Sequence, residues 1–285
     1  MKWALLANVL FALVDLSWKQ AQSHNSVIVN TAIRSLASVG LLWILMLAAG
    51  LDFALVGAQW KQCISTDFRA LGIGVLGWMG LWCFGKALRD GPLHTIIPLV
   101  AMTPVFTYLF WYIQHNSGPM PLESLAILMA MTAGIWLSFR FQRKDEKNSA
   151  LGPISWGLLA SLSWGLSYSW YEGITRQMGA LPTATWVEIC IATASLLAWI
   201  SSTKSRPKGL VWPLLTGLLT AFAVAATVQS YAEHGTESTA IAGVLTPLLS
   251  IAGAWMINRE RPLGGQWISV LLLLFTLIWQ ALRLP

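Results

Sequence analysis

Asp15, Lys19, Arg34, Glu172 and Glu188 are ionisable residues within or at the ends of long apolar runs. A charge inside a hydrocarbon layer costs several kcal/mol unless it is paired or faces a hydrated interior, so each is a candidate for solute or ion handling. Asp15 and Lys19 are four apart, which on a helix gives them one face and lets them pair. Arg34 lies about 10 Å into its run at 1.5 Å per residue and suits a carboxylate. Glu172 has Arg176 four residues on. Glu188, about 8 Å into its run, has no opposite charge within a helical turn, and an unpaired acid at that depth suits a proton or cation. Trp78, Trp82 and Lys86 form a stripe at four-residue spacing that suits the wall of a cavity. Gln229 and Tyr231 end an apolar run with groups able to hydrogen-bond a solute. These residues, with Trp18 as a ring beside the charges of the first run, supply the expected substrate-binding set, with Glu172 and Glu188 as coupling-ion candidates.

The runs that must position them dominate the composition. Apolar residues make up 56% of the 285, charged residues 11%, and the mean hydropathy is +0.62. An ordinary soluble domain carries about 25% charge, so a polytopic membrane protein is expected. Crossing a bilayer takes about 20 apolar residues. Ten runs qualify: 3–20, 27–47, 70–88, 93–113, 121–140, 153–172, 183–201, 210–232, 237–257 and 265–282. The net charge of +6 sits mostly in short loops such as 140–147 and 204–208, which excludes a nucleic-acid partner in favour of headgroup contact. Residues 3–18 imitate a signal peptide, but the same pattern recurs in mid-chain, so a retained first helix is expected.

That recurrence organises the chain. With an offset of 153, WALLANVLFAL at 3–13 overlays WGLLASLSWGL at 156–166, and Ala4, Asn8 and Ala12 fall on Gly157, Ser161 and Gly165. Small residues every fourth position let helix backbones approach. With an offset of 143, Pro104 overlays Pro247, and a proline inside a membrane run breaks the helix there. The halves are 1–147 and 148–285. Five spans is an odd number, so the expected fold is all-α, ten transmembrane helices as two inverted five-helix repeats. Lys19 then overlays Glu172, and Arg34 overlays Glu188 after one inserted residue, so that one mouth is expected to be basic and the other acidic.

ALRDGPLHTIIPLVAMTPVFTYLFWYI at 87–113 and YAEHGTESTAIAGVLTPLLSIAGAWMINRERP at 231–262 resemble the fourth and ninth helices of the drug/metabolite transporter superfamily, in its ten-helix EamA-like branch. Each repeat of that family carries an aliphatic-small stretch leading to a mid-helix proline and an acidic residue in the loop beyond. Glu260 matches the acid in the second half, whereas 114–121 has none in the first. The resemblance covers essentially the whole chain and speaks to the fold more than to the solute. It implies both termini inside the cell. The Lys and Arg count across the ten spans, most of it on the face away from the termini, places both outside instead.

No HExxH, GxSxG or nucleotide-binding loop occurs, and His24, His94, His115 and His234 are dispersed. Cys63, Cys83 and Cys190 lack metal or redox spacing. No enzyme activity, cofactor or metal is therefore expected. The sequence points to a secondary-active transporter in the inner (plasma) membrane, an exporter of a small metabolite such as an amino acid or amine. A drug-type organic-cation/proton exporter is the rival, and an intramembrane enzyme or sensor the rival of another class. The expected partners are a small-molecule solute and the lipid bilayer, with the chain a monomer or a homodimer.

Overall fold

A computed structural model describes residues 2–91, 93–115, 151–202, 207–243 and 245–257, with Met129, Thr132 and Leu271. Apart from those three residues, the spans expected at 121–140 and 265–282 lie outside the described residues, as do the junction at 148 and the Glu260 marker. The helices run in order as α1 (Lys2–Gln22), α2 (Val27–Ala48), α3 (Phe53–Thr66), α4 (Arg69–Asp90), α5 (Leu93–Val100), α6 (Thr103–His115), α7 (Leu151–Met178), α8 (Ala180–Ser201), α9 (Val211–Ala242) and α10 (Leu245–Ile257). Four of the described helical stretches, α2, α4, α8 and Val211–Thr236, are long and apolar enough to cross a bilayer.

Short polar residues start the helices. Ser26 Oγ accepts from Val29 N at 3.4 Å and Asp52 Oδ1 accepts from Ala54 N at 2.8 Å, each satisfying an amide that the first turn leaves without a partner. Asp67 Oδ1 does the same for Arg69 N at 3.0 Å.

Two apolar runs read as single spans are each two helices. The run 93–113 is interrupted at Ala101 and Met102, whose amides fold back onto Ile97 O (2.8 Å) and Leu99 O (3.0 Å). The run 237–257 is interrupted at Gly243. In both, the proline lies in the first turn of the helix after the break, where its missing N–H costs nothing. Pro104 cannot donate to the Val100 carbonyl, nor Pro247 to that of Gly243, so each proline displaces its break about one turn upstream. Gly243 O instead takes Thr246 N at 3.3 Å. The polar turn expected between the eighth and ninth spans is one kinked residue, Gly235, at φ 73° and ψ 179°. Only glycine adopts that conformation readily.

The 48–69 connection holds α3, an unforeseen helix of 14 residues, too short to span. Val56 and Cys63 are its buried positions. Trp60 stacks at a tilt on Trp186 (5.5 Å between centroids) and donates Nε1–H to Pro182 O at 3.3 Å. The helix thus lies over the turn between α7 and α8.

The packing pairs α1 with α9 and α10, α7 with α4 and α6, α2 with α8 and α9, and α8 with α4. Small residues set the closest approaches. A Cβ on Gly217 would strike the Arg34 backbone, and one on Gly165 would strike Phe106. Leu71, Val75 and Met79 of α4, at every fourth position, and Leu214, Leu218 and Phe222 of α9 are exposed, giving the bundle an apolar outer surface suited to lipid.

Candidate functional site

A cavity of about 160 Å³ runs through the centre, lined from α1, α2, α4 to α10. On α1 alone the lining extends from Ala4 to Trp18, about 21 Å at 1.5 Å per residue. Both helix breaks reach it, through Val100, Ala101 and Thr103 on one side and Gly243 and Thr246 on the other. The wall is mostly apolar and also carries the rings of Phe11, Phe84, Trp164 and the tyrosines 168, 171 and 231. The three tyrosines pack on one another, with ring centroids 5.1 Å (168 to 171) and 5.6 Å (171 to 231) apart.

The charges in this wall divide unequally. Arg34 binds Glu188 in a two-pronged ion pair, Nη1 to Oε2 at 2.6 Å and Nη2 to Oε1 at 3.1 Å, with both side chains buried. Such planar bidentate pairing is the arrangement guanidinium makes with a carboxylate. It cancels both charges. Asp15 is also buried, yet its only hydrogen bond among the described residues is from Ser250 Oγ to Oδ2 at 2.7 Å. Its carboxyl is therefore the acidic group of the cavity without a cationic partner among the described residues. Nearby, Asn8 Oδ1 accepts from Thr246 Oγ1 at 2.6 Å, tying α1 to the start of α10. Arg34 Nε, Trp18 Nε1 and Thr103 Oγ1 belong to lining residues and are buried without a partner among the described residues. Buried polar atoms in that condition usually meet water or ligand.

The comparison with known families falls on the second half of this bundle. Residues 151–280 match the model of the EamA-like transporter family. The chain carries an EamA-like transporter domain. It begins at α7 and supplies Trp164, Tyr168, Glu188 and Tyr231 to the cavity. A solved structure titled "Crystal structure of protein" shares the fold over the whole chain, with a TM-score of 0.73 and 16% identity, covering 99% of this chain and 96% of that one. No curated protein matches. Together with apolar helices of membrane length, the EamA-like domain makes the chain an integral, multi-pass membrane protein of transporter type, with a small solute and lipid as its partners.

Of the residues singled out in the sequence, Asp15, Trp18, Arg34, Glu188, Tyr231 and Pro104 line the cavity. The others do not. Lys19 and Asp15 do not pair: Lys19 Nζ donates to Leu88 O and Gly91 O, both at 2.7 Å. Glu172 lies outside the EamA-like domain's share of the cavity and accepts from Arg176 Nη2 at 2.6 Å and from Thr236 N and Oγ1 at 2.9 Å. Trp82 meets Trp156 edge-on at 5.2 Å and carries the Lys86 ammonium 5.5 Å above its ring, and Trp78, Trp82 and Lys86 are not among the lining residues of the cavity. Gln229 donates to Glu233 Oε1 at 2.9 Å, away from the lining. Pro247 is the third residue of α10, just beyond the lining residue Thr246.

Two expectations are overturned. Glu188 is not an unpaired acid, because its partner comes from another helix. Nor do Arg34 and Glu188 point to opposite mouths: lying at mid-span on α2 and α8, which pack together, they meet each other. Tyr168 was missed, although the offset of 153 carries Asp15 onto it and it continues the Trp164–Tyr171 face. Ser250 and Thr103 gave no signal beyond being polar within an apolar run.

Proposed function

We propose that this protein is a secondary-active carrier, an exporter in the inner membrane, for a small solute bearing an amine, such as an amino acid or amine, working by alternating access. The carrying observation is the unequal division of charge. Arg34 and Glu188 neutralise each other, and Asp15 is left to meet a cationic group or a proton within a wall that carries aromatic rings. Aromatic faces also attract ammonium groups. Arg34 Nε and Thr103 Oγ1 supply donors for an oxygen on the same solute.

The cavity's size bears on the choice between metabolite and drug. About 160 Å³ is close to the roughly 150 Å³ that holds a benzene-sized guest, and below the roughly 300 Å³ at which drug-sized pockets begin. That favours a metabolite over a drug-type organic cation. Asp15 replaces Glu188 as the better coupling-ion candidate in this reading, and the Arg34–Glu188 pair becomes the fixed point about which the halves move.

The architecture we favour is ten spans in two inverted repeats, 1–147 and 148–285. Exchanging the halves turns each packing pair into another: α1 on α9 becomes α7 on α4, α1 on α10 becomes α7 on α6, and α2 on α8 maps onto itself. Arg34 and Glu188, repeat equivalents, then meet at the pseudo-twofold axis.

Reconstitution in liposomes with a panel of amino acids and amines tests the function. Saturable flux of an amine-bearing solute is expected, falling more than about tenfold in Asp15→Asn, the loss of one buried charge pairing. Flux only of solutes without an amine, or an unchanged Asp15→Asn, would sink the assignment.

A further inference from the structure

Lys19 and Glu172 carry opposite charges, occupy equivalent positions in the two halves, and stand outside the cavity lining. What they hold is nevertheless related. Two short helical pieces bring the breaks to the cavity: α5, through Ile97, Val100 and Ala101, and the segment 236–242, through Thr239 and Ala240. The inner ends of these pieces are the breaks. Glu172 binds the outer end of 236–242, and Lys19 binds the end of α4 that leads into α5.

Lys19 Nζ takes the carbonyls of Leu88 and Gly91, in the last turn and at the C-cap of α4, immediately before α5 starts at Leu93. Glu172 Oε2 takes both the amide and the hydroxyl of Thr236, the first residue after the Gly235 kink. A helix presents unpaired carbonyls and partial negative charge at its C-terminus, and unpaired amides and partial positive charge at its N-terminus. A lysine suits the first end and a glutamate the second. The reversed sign follows from which side of the chain break each residue grips, and hydrogen bonds to an ionised group are the strong kind.

We propose that Lys19 and Glu172 are positioning residues, Lys19 tying the end of α4 that leads into α5 to α1, and Glu172 tying the outer end of 236–242 to α7, and so fixing where the solute-facing ends of α5 and 236–242 stand. This rests on the cavity being the transport site, but its test needs no known solute.

The full-length protein is purified with Cys63, Cys83 and Cys190 replaced by Ala, and single cysteines are placed at Ala240, at Ala101 and, as a control on α8, at Val187. Labelling rates with N-ethylmaleimide are then compared. Glu172→Ala should speed labelling at position 240 about tenfold, the scale of losing one charge-assisted hydrogen bond, and leave 101 and 187 unchanged. Glu172→Gln, which keeps an acceptor, should restore the slow rate. Lys19→Met should do the same at position 101 alone, and Lys19→Arg should restore it. An unchanged rate at the local reporter, or an equal rise at 187, would overturn the anchoring role. If the labelling pattern holds while liposomes pass no amine-bearing solute, the anchors stand and the carrier reading falls.

Discussion

Changing Glu188 to Gln would leave the Arg34 guanidinium buried with no counter-charge, and removing one partner of a buried pair typically costs about 3–5 kcal/mol. Glu188→Gln should therefore unfold at a markedly lower temperature in detergent. The double replacement Arg34→Met with Glu188→Leu should recover most of that loss, because an apolar pair of similar volume needs no desolvation. Flux separates the two roles the pair could have. If the double variant is stable and still couples flux to a proton gradient, the pair is structural; a stable variant with uncoupled flux would return Glu188 to the coupling role. The sequence made Arg34 and Glu188 legible as buried charges, but not as partners. Helical spacing reports only neighbours on one helix, whereas this contact joins residues 154 positions apart. Lys86 illustrates the opposite error. Its spacing to Trp82 is a true contact, and neither residue lines the cavity.

At the scale of the element, the prolines were legible and the breaks they cause were misplaced by a turn, because the carbonyl a proline deprives lies four residues before it. Pro104→Ala restores a donor for Val100 O. It should lower solute affinity more than it lowers stability, since Val100, Ala101 and Thr103 at that break all face the cavity; thermal denaturation and solute titration on one preparation compare the two. The helix α3 escaped notice because 14 residues fall short of a span and its apolar positions pack on protein rather than lipid. The start of α4 carries a further prediction. Asp67 accepts from Arg69 N at 3.0 Å and from its Nη2 at 2.6 Å, and these hydrogen bonds from Arg69 hold the Asp67 carboxyl below the usual carboxylate range. A carboxyl whose folded pKa is depressed adds stability above its unfolded value, about 3.9, and loses it as pH falls through the folded value. Asp67→Asn should then cost about 1 kcal/mol or less at pH 7, in the range of helix caps and exposed ion pairs. The difference from the unaltered protein should shrink below pH 4, and a gap that widens in acid would contradict the assignment.

For the whole molecule, the inverted repeat proposed above makes a demand that single residues do not. If the two halves exchange conformations when the cavity changes the side it faces, every asymmetric contact must have a counterpart that forms in the other state. One such asymmetry is visible at the breaks. Thr246 Oγ1 is bound to Asn8 Oδ1, whereas its equivalent Thr103 Oγ1 has no partner among the described residues and Ser161, the equivalent of Asn8, donates to Leu99 O at 2.6 Å. The opposite state should therefore join Thr103 to Ser161 and release Thr246 from Asn8. Two double-cysteine proteins, Asn8→Cys with Thr246→Cys and Ser161→Cys with Thr103→Cys, built without the three native cysteines, convert this into a measurement. Disulfide formation should dominate in the first pair at rest, and a transported solute should raise it in the second while lowering it in the first. Both pairs rising together would mean general loosening, and a second pair that never closes would mean that the halves do not exchange roles.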